Sequence, residues 1–381
     1  MGRKDADMSL YVDHLLKQQA VMLAMLRAMV ERETPSADGP AVHGLVEYMA
    51  ERFAEIGAAV ESLPPSAGGQ LRASWGDGAG QVLVLCHLDT VWPIGELARR
   101  PFRVEDGRAY GPGVYDMKGG IVQAFFALKA LIDLNVRPAS KILFLCTTDE
   151  ETGSAGSRAL IEQEARRSRF VLVPEPASGP AGAVKLTRKG WGIYHLTVAG
   201  RTAHAGNDHE AGISAITELA HQILKLHALT DYSAGTTVNV GVVSGGRVFN
   251  MVADRAEAGI DLRAASNEEL RRAEQAIRGL APVTPGTSLA VTGRINRPPL
   301  EATEANVRLY RRAQQIAAGM GFELPAANVG GVSDGNFTSS VGAATLDGIG
   351  AVGGGAHAVS EYIELKAMAP RAALVACLLA E

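Results

Sequence analysis

Cysteine is scarce: Cys86, Cys146 and Cys377 are the only three in 381 residues, and all sit inside apolar runs. An odd, widely spaced set of this kind excludes a disulfide framework and a thiolate-rich metal site, and fits a reduced, cytoplasmic setting. A basic excess is also missing. The 37 Lys and Arg against 41 Asp and Glu give a formal charge of -4, which argues against nucleic acid or an anionic membrane as partner and for a small ligand. Long apolar runs are absent too. "VMLAMLRAMV" (21–30) contains Arg27 and is half the ~20 residues a bilayer demands. The opening "MGRKDADMSLYVDHLL" scatters charge where an export signal keeps an apolar core, so neither export nor a membrane anchor is expected. Internal repeats and low-complexity tracts are lacking as well, which leaves element order to define the architecture.

What is present is a 47% apolar, 20% charged composition and a length suited to about two domains. Helices are expected over 10–32 and 41–56. Three short, unbroken apolar runs follow: "VLVLC" (82–86), "ILFLC" (142–146) and "FVLVP" (170–174). Strands apolar on both faces belong to a sheet covered by helices on both sides. The helical spacing of "GGIVQAFFALKALIDL" (119–134) and the more polar "SAGSRALIEQEARRS" supply the covers. From 186 to 296 the order changes to β-α-β-β-α-β, the ferredoxin-like unit. A further helix is expected over 304–320, then glycine-rich loops and a final helix. The expected fold class is therefore α/β: a discontinuous domain (1–185 and 297–381) with a mainly parallel sheet, interrupted by a smaller ferredoxin-like α+β domain (186–296).

Ligands of open α/β sheets gather beyond the carboxyl ends of the strands. Each apolar run here delivers chemistry at that end. The first gives His87 and Asp89, the second Glu150 and Glu151, the third Glu175. "YGPGVYDMKGG" sets Asp116 in a Gly/Pro loop before a helix, and "GIGAVGGGAHAVSEY" presents His357. Taken singly, each has an ordinary reading: a satisfied buried histidine, acids at a helix start, a helix cap, a surface loop. Together, several carboxylates in one crevice need cations to stay ionised. Two imidazoles with carboxylates and no thiolate suit zinc, with manganese or cobalt as substitutes, and a carboxylate bridging two ions would hold water for hydrolysis.

The segments "CHLDTVWP", "GPGVYDMKGG", "TTDEETGSAGS", "VPEPA", "GRTAHAG", "GGVSDGN" and "GGGAH" resemble, in order and over nearly the whole chain, the co-catalytic zinc metallopeptidase and acylase family. That family includes glutamate carboxypeptidase, acetylornithine deacetylase, succinyl-diaminopimelate desuccinylase and aminoacylase. The resemblance implies two Zn2+ per subunit, one on His87 and Glu175, the other on Glu151 and His357, bridged by Asp116. Asp89 would orient His87, and Glu150 would be the general base in an attack by a metal-bridging hydroxide. His204 in "GRTAHAG" would stabilise the oxyanion in a neighbouring subunit's site, and the inserted domain would be a dimerisation and lid domain. Asn250, Arg263, Ser333 and Gly331 match substrate-holding positions, Arg263 gripping a free carboxylate.

The expected activity is that of a homodimeric exopeptidase of carboxypeptidase type releasing a C-terminal amino acid, glutamate above others. "CHLDTVWP" and "VPEPASG" look closest to glutamate carboxypeptidase. The substrate would be a small peptide or an N-acyl amino acid. The alternatives are an N-acyl-amino-acid deacylase, a non-catalytic binding protein on the same scaffold, and a purely structural zinc site.

Overall fold

The computed structural model describes residues 3–63 and 69–381; residues 1 and 2, the start of the stretch read for an export signal, lie outside them. The chain divides into two compact units, one of Met1–Leu186, Ala302–Asn328 and Ser333–Glu381, the other of Thr187–Glu301 with Val329–Val332. The second unit thus extends past residue 296 and takes in a short return segment. Main-chain bonds between Arg188 and Leu300 (3.0 Å) and from Lys189 N–H to the Val329 carbonyl (3.1 Å) account for both additions.

In the larger unit, an eight-stranded sheet runs in the spatial order Ala59–Leu63, Gln70–Trp75, Lys141–Thr147, Gln81–His87, Phe170–Val173, Thr345–Asp347, Val184–Arg188, Ala326–Val329. Its four central strands are mutually parallel, and the first two pairings are antiparallel. The three expected apolar runs are three of these central strands; the fourth, Thr345–Asp347, lies where only glycine-rich loops were expected. Alternation along them explains why both faces are apolar: Val82, Val84 and Cys86 join the large core cluster with helices Gly119–Asp133 and Leu365–Leu379. Leu83 and Leu85 face the other way, onto Ile161, Ala165 and Phe337 of the helices Arg158–Arg167 and Gly335–Ser340. The expected single helix over 10–32 is two, Arg3–Lys17 and Gln19–Val30. At Gln18 the main chain tightens, its N–H donating to the Leu15 carbonyl (3.1 Å). A small antiparallel sheet of Arg103–Glu105, Arg108–Tyr110, Tyr362–Glu364 and Gly353–Gly354 was not expected from the sequence.

The smaller unit is a four-stranded antiparallel sheet in the order Thr237–Gly245, Arg255–Ala264, Gly190–Ala199, Ser288–Arg297. With the helices Ala215–His227 and Asn267–Arg278 it gives the β-α-β-β-α-β ferredoxin-like arrangement. Each helix begins at a serine whose hydroxyl accepts a main-chain N–H, Ser214 from Thr217 (3.1 Å) and Ser266 from Glu269 (3.3 Å). Its core is formed by residues such as Tyr194, Leu196, Ile260, Leu262, Leu219 and Ile277. No helix among the described residues is long and apolar enough to cross a membrane.

Candidate metal centre

Strand register assembles the site. His87 pairs with Thr147, and Val84 pairs with Leu172; continuing the second register three residues brings Glu175 level with His87. Glycines allow the loops to close on this edge. A Cβ at Gly120 or at Gly350 would overlap the carbonyl oxygen of Pro174, the residue before Glu175. Gly350 N–H then donates to the Glu175 carbonyl at 3.0 Å. The buried Arg371 guanidinium fixes these loops by donating to the carbonyls of Gly350 (3.1 Å), Gly182 (3.0 Å) and Gly348 (2.8 Å).

At this edge the two oxygens of Asp116 face different imidazoles. Oδ1 is 3.3 Å from Nε2 of His87, which is also 3.3 Å from Oε1 of Glu175. Oδ2 is 3.4 Å from Nε2 of His357, which is also 3.4 Å from Oε2 of Glu151. Four contacts at one spacing have a simple geometric meaning: an ion held tetrahedrally by nitrogen and oxygen at ~2.1 Å sets its ligand atoms about 3.4 Å apart. Asp116 Oδ1 and Glu151 Oε1 are buried and without a hydrogen-bond partner, the condition a metal ligand satisfies only when its ion is bound. The residues present therefore fit divalent metal, with His87, Asp116 and Glu151 offering ligand atoms within 4.8 Å of one another.

The electrostatics agree. Burial works against charge on His87, yet Asp116, Asp89 and Glu175 outweigh it and hold the imidazole pKa well above its ordinary value. Asp116 and Glu151 raise that of His357 to about 10. Burial opposes ionisation of Asp116 as well, but the two imidazoles keep its carboxyl well below the usual range. At Glu151, burial prevails over pairing with His357, and with the adjacent Asp116 charge it pushes the carboxyl up. The cluster draws positive charge toward itself, which protons supply when ions do not. His357 holds its place with a left-handed backbone (φ 59°), a conformation uncommon outside glycine and concentrated at functional sites.

Asp89 does more than the sequence suggested. Its main-chain carbonyl accepts from His87 Nδ1 (3.0 Å), with its carboxylate at 3.5 Å, which leaves Nε2 free for the cluster. The carboxylate itself accepts from the main-chain N–H groups of Glu150 (3.3 Å) and Glu151 (3.1 Å) and from Ser36 Oγ (2.6 Å). It therefore sets both the imidazole and the acidic turn Glu150–Thr152. Glu150 is buried there, and its charge contributes to the raised His87 pKa.

Ser333 is fully buried; its hydroxyl donates to Asp347 and accepts from Gly335 N–H (3.0 Å). This is turn chemistry, and it leaves no open hydroxyl for a substrate carboxylate. Gly331 belongs to the smaller unit, where its carbonyl accepts from Arg188 (3.4 Å). In the same unit His204 and Asn250 are exposed neighbours: Ala205 N–H donates to the Asn250 carbonyl (2.9 Å), and His204 bridges to Met251. Nδ1 of His204 accepts from Gly206 and Asn207 N–H at 3.1 Å each, so the proton is on Nε2, pointing outward as a donor. Arg263 lies at the other end of the strand Arg255–Ala264, opposite Trp191. Asp261 occupies its Nε and Nη2 (3.0 and 3.1 Å), leaving Nη1 for another acceptor.

Sequence reasoning passed over Ser36, Arg371, Lys185 (Nζ 3.5 Å from Glu175 Oε2) and Glu361, each of which acts on a ligand or its loop. The glycines flanking Gly350 were the one signal for a crowded loop edge.

A doubly wound sheet at whose edge two imidazoles share a carboxylate is the setting of a metal-dependent hydrolase. The chain belongs to the peptidase family M20/M25/M40, which it matches over residues 83–381. It is 29% identical over 377 residues to Carboxypeptidase G2 of Pseudomonas sp. (strain RS-16), covering 95% of this chain and 89% of that one. Among solved structures, aminopeptidase PepT from Bacillus cereus superposes with a TM-score of 0.78 at 22% identity, covering 95% of this chain and 98% of the other. An M20 family metallo-carboxypeptidase from Sulfolobus solfataricus gives 0.72 at 19%, covering 94% and 98%.

Proposed function

We propose that the protein is a dinuclear zinc amidohydrolase of carboxypeptidase type that releases a C-terminal amino acid, glutamate above others. The observation that carries this reading is the division of Asp116 between His87 and His357 at 3.3 and 3.4 Å. His87 and Glu175 would hold one ion, Glu151 and His357 the other, and Asp116 both. Zinc suits a set of imidazoles and carboxylates in which no thiolate takes part, and manganese or cobalt could replace it. When bound, the ions would supply Lewis-acid polarisation of a carbonyl and a more acidic water.

The remaining steps belong to side chains. Glu150 takes the proton of the attacking water and returns it to the departing amine. His204 offers its outward Nε2–H to the oxygen that gains charge. Arg263 offers Nη1, with Nη2 beside it, to the substrate carboxylate, and Asn250 adds a further polar contact. Within their unit, His204 and Arg263 are separated by the length of a ten-residue strand, about 30 Å at ~3.3 Å per residue. That separation supports a homodimer in which the two residues serve different catalytic centres, the unit acting as dimerisation and lid domain. The edge strand Thr237–Gly245 supports it further: it carries no charge and exposes Val242 and Val243, where a solitary edge would be blunted. Three free, buried thiols fit a reducing cytoplasm.

The carboxypeptidase assignment is supported by the name of the 29% identical relative. The rival is an N-acyl-amino-acid deacylase, which would use the same centre. A screen of zinc-loaded protein on dipeptides ending in glutamate and on N-acyl amino acids separates the two. The expected result is a kcat/KM at least ~10-fold higher for the dipeptides, a difference of ~1.4 kcal/mol in transition-state binding. Absence of turnover on every substrate ending in glutamate would remove the carboxypeptidase reading.

A further inference from the structure

We infer that Glu361 is a positioning residue that locks the loops bearing His87, Asp116 and His357 into one arrangement; this rests on the reading of those residues as metal ligands. Glu361 is 1% exposed. Its Oε1 accepts the main-chain N–H of Tyr115 (2.9 Å) and of Asp116 (3.0 Å). Its Oε2 accepts the main-chain N–H of Gly113 (2.9 Å) and the indole N–H of Trp92 (2.9 Å).

All four partners are N–H donors, so both oxygens must accept. A carboxylate meets that demand fully, whereas an amide would turn its own N–H groups against two of the donors. The side chain is thereby fully used and does not itself ligate an ion. Its effect is transmitted through the chain. Trp92 lies five residues beyond His87, Gly113–Asp116 is the loop of the bridging carboxylate, and Glu361 itself follows His357 by four. Arg100 completes the clasp by stacking on the Trp92 ring at 3.9 Å and donating to the Val359 carbonyl (3.2 Å). The left-handed turn at His357 is anchored just beyond, where Glu361 N–H donates to the Ala358 carbonyl (3.1 Å). One buried anion thus spaces three ligand loops that the strands alone bring only to the same edge.

The test is metal binding. Zinc affinity is measured by competition with a chromophoric chelator, and the visible spectrum of the cobalt-substituted protein reports ligand geometry, for wild type, Glu361→Gln, Glu361→Asp and Trp92→Phe. Glu361→Gln is expected to weaken zinc binding about 10–100-fold and to shift the cobalt bands, the usual consequence of losing a group that orients ligands. Glu361→Asp, which keeps two acceptors, recovers part of the affinity. Trp92→Phe, which keeps the ring under Arg100 and removes one donor, is expected to shift the cobalt bands less. A folded Glu361→Gln protein with wild-type zinc affinity and an unchanged cobalt spectrum overturns the inference. If Glu361→Gln does not fold, an unchanged spectrum and affinity in Trp92→Phe overturns it instead. Wild-type protein that takes up no zinc would defeat the metal reading itself, an outcome distinct from both.

Discussion

The side chains of His87, Asp116, Glu151 and Glu175 are 3%, 15%, 8% and 7% exposed and that of His357 52%, and each of the five pairs with another of them. In the smaller unit His204 and Asn250 stand in solvent, and Arg263 has its own neutralising partner in Asp261. The first set is a network that no member can leave without stranding a buried charge. The second is a pair of neighbouring loop residues and one strand residue, none of which shares an ion pair with the others. On the proposed reading the contrast separates two tasks: holding ions favours mutually compensating, largely desolvated ligands, whereas meeting a substrate demands donors still free to form a bond.

The sharpest way to break this comparison is Glu150→Ala. It is expected to lower kcat by roughly 10^2–10^4-fold with zinc content unchanged, read by steady-state kinetics beside metal analysis. Metal loss accompanying the change would make Glu150 a ligand instead. Next come the two imidazoles. In metal-free protein, His87→Ala removes the buried imidazole that Asp116 and Glu175 share and should cost about 3 kcal/mol in urea unfolding. His357→Ala, at a half-exposed position, should cost under ~1 kcal/mol. Equal costs would erase the distinction between the inner and outer halves of the centre.

Arg263→Lys is expected to raise KM about 10-fold with little change in kcat, since an ammonium cannot reproduce a planar two-donor grip. A drop in kcat alone would place Arg263 elsewhere in the reaction. The smallest effect is on stability. The buried Glu218 carboxylate accepts main-chain N–H groups from Val283 and Thr284 and the amide of Gln222. Despite its burial, these bonds lower its pKa from the ordinary 4.5 to about 2. A depressed carboxylate stabilises the fold above its unfolded pKa and loses that contribution as pH falls toward 2. Glu218→Gln should therefore destabilise the protein by about 1.5–3 kcal/mol at neutral pH, a gap that closes below pH 4.5; thermal melts across this range test it.

Much of this was readable in advance because it depends on local pattern. Unbroken apolar runs announced the central strands, and the β-α-β-β-α-β order announced the smaller unit. The outer strands, such as Ala59–Leu63, are short and largely exposed, so they carried too little apolar signal. Glu361 was unreadable for a similar reason: in "AVSEY" an acid beside a serine looks like a solvated turn, and nothing local reveals that four N–H groups from two distant loops converge on it. Ser333 shows the converse. Its glycine-rich surroundings look open, yet its hydroxyl is buried against Asp347.

The amino-acid sequence by itself determined which groups stand at the ends of buried strands, because hydrophobic patterning places strand termini and thereby the residues that follow them. Only the tertiary structure decided which of those groups meet. Strand register and the close approaches at Gly120 and Gly350 set separations of a few ångströms between residues up to 241 positions apart in the chain, and electrostatic compensation is strong only at such short distances.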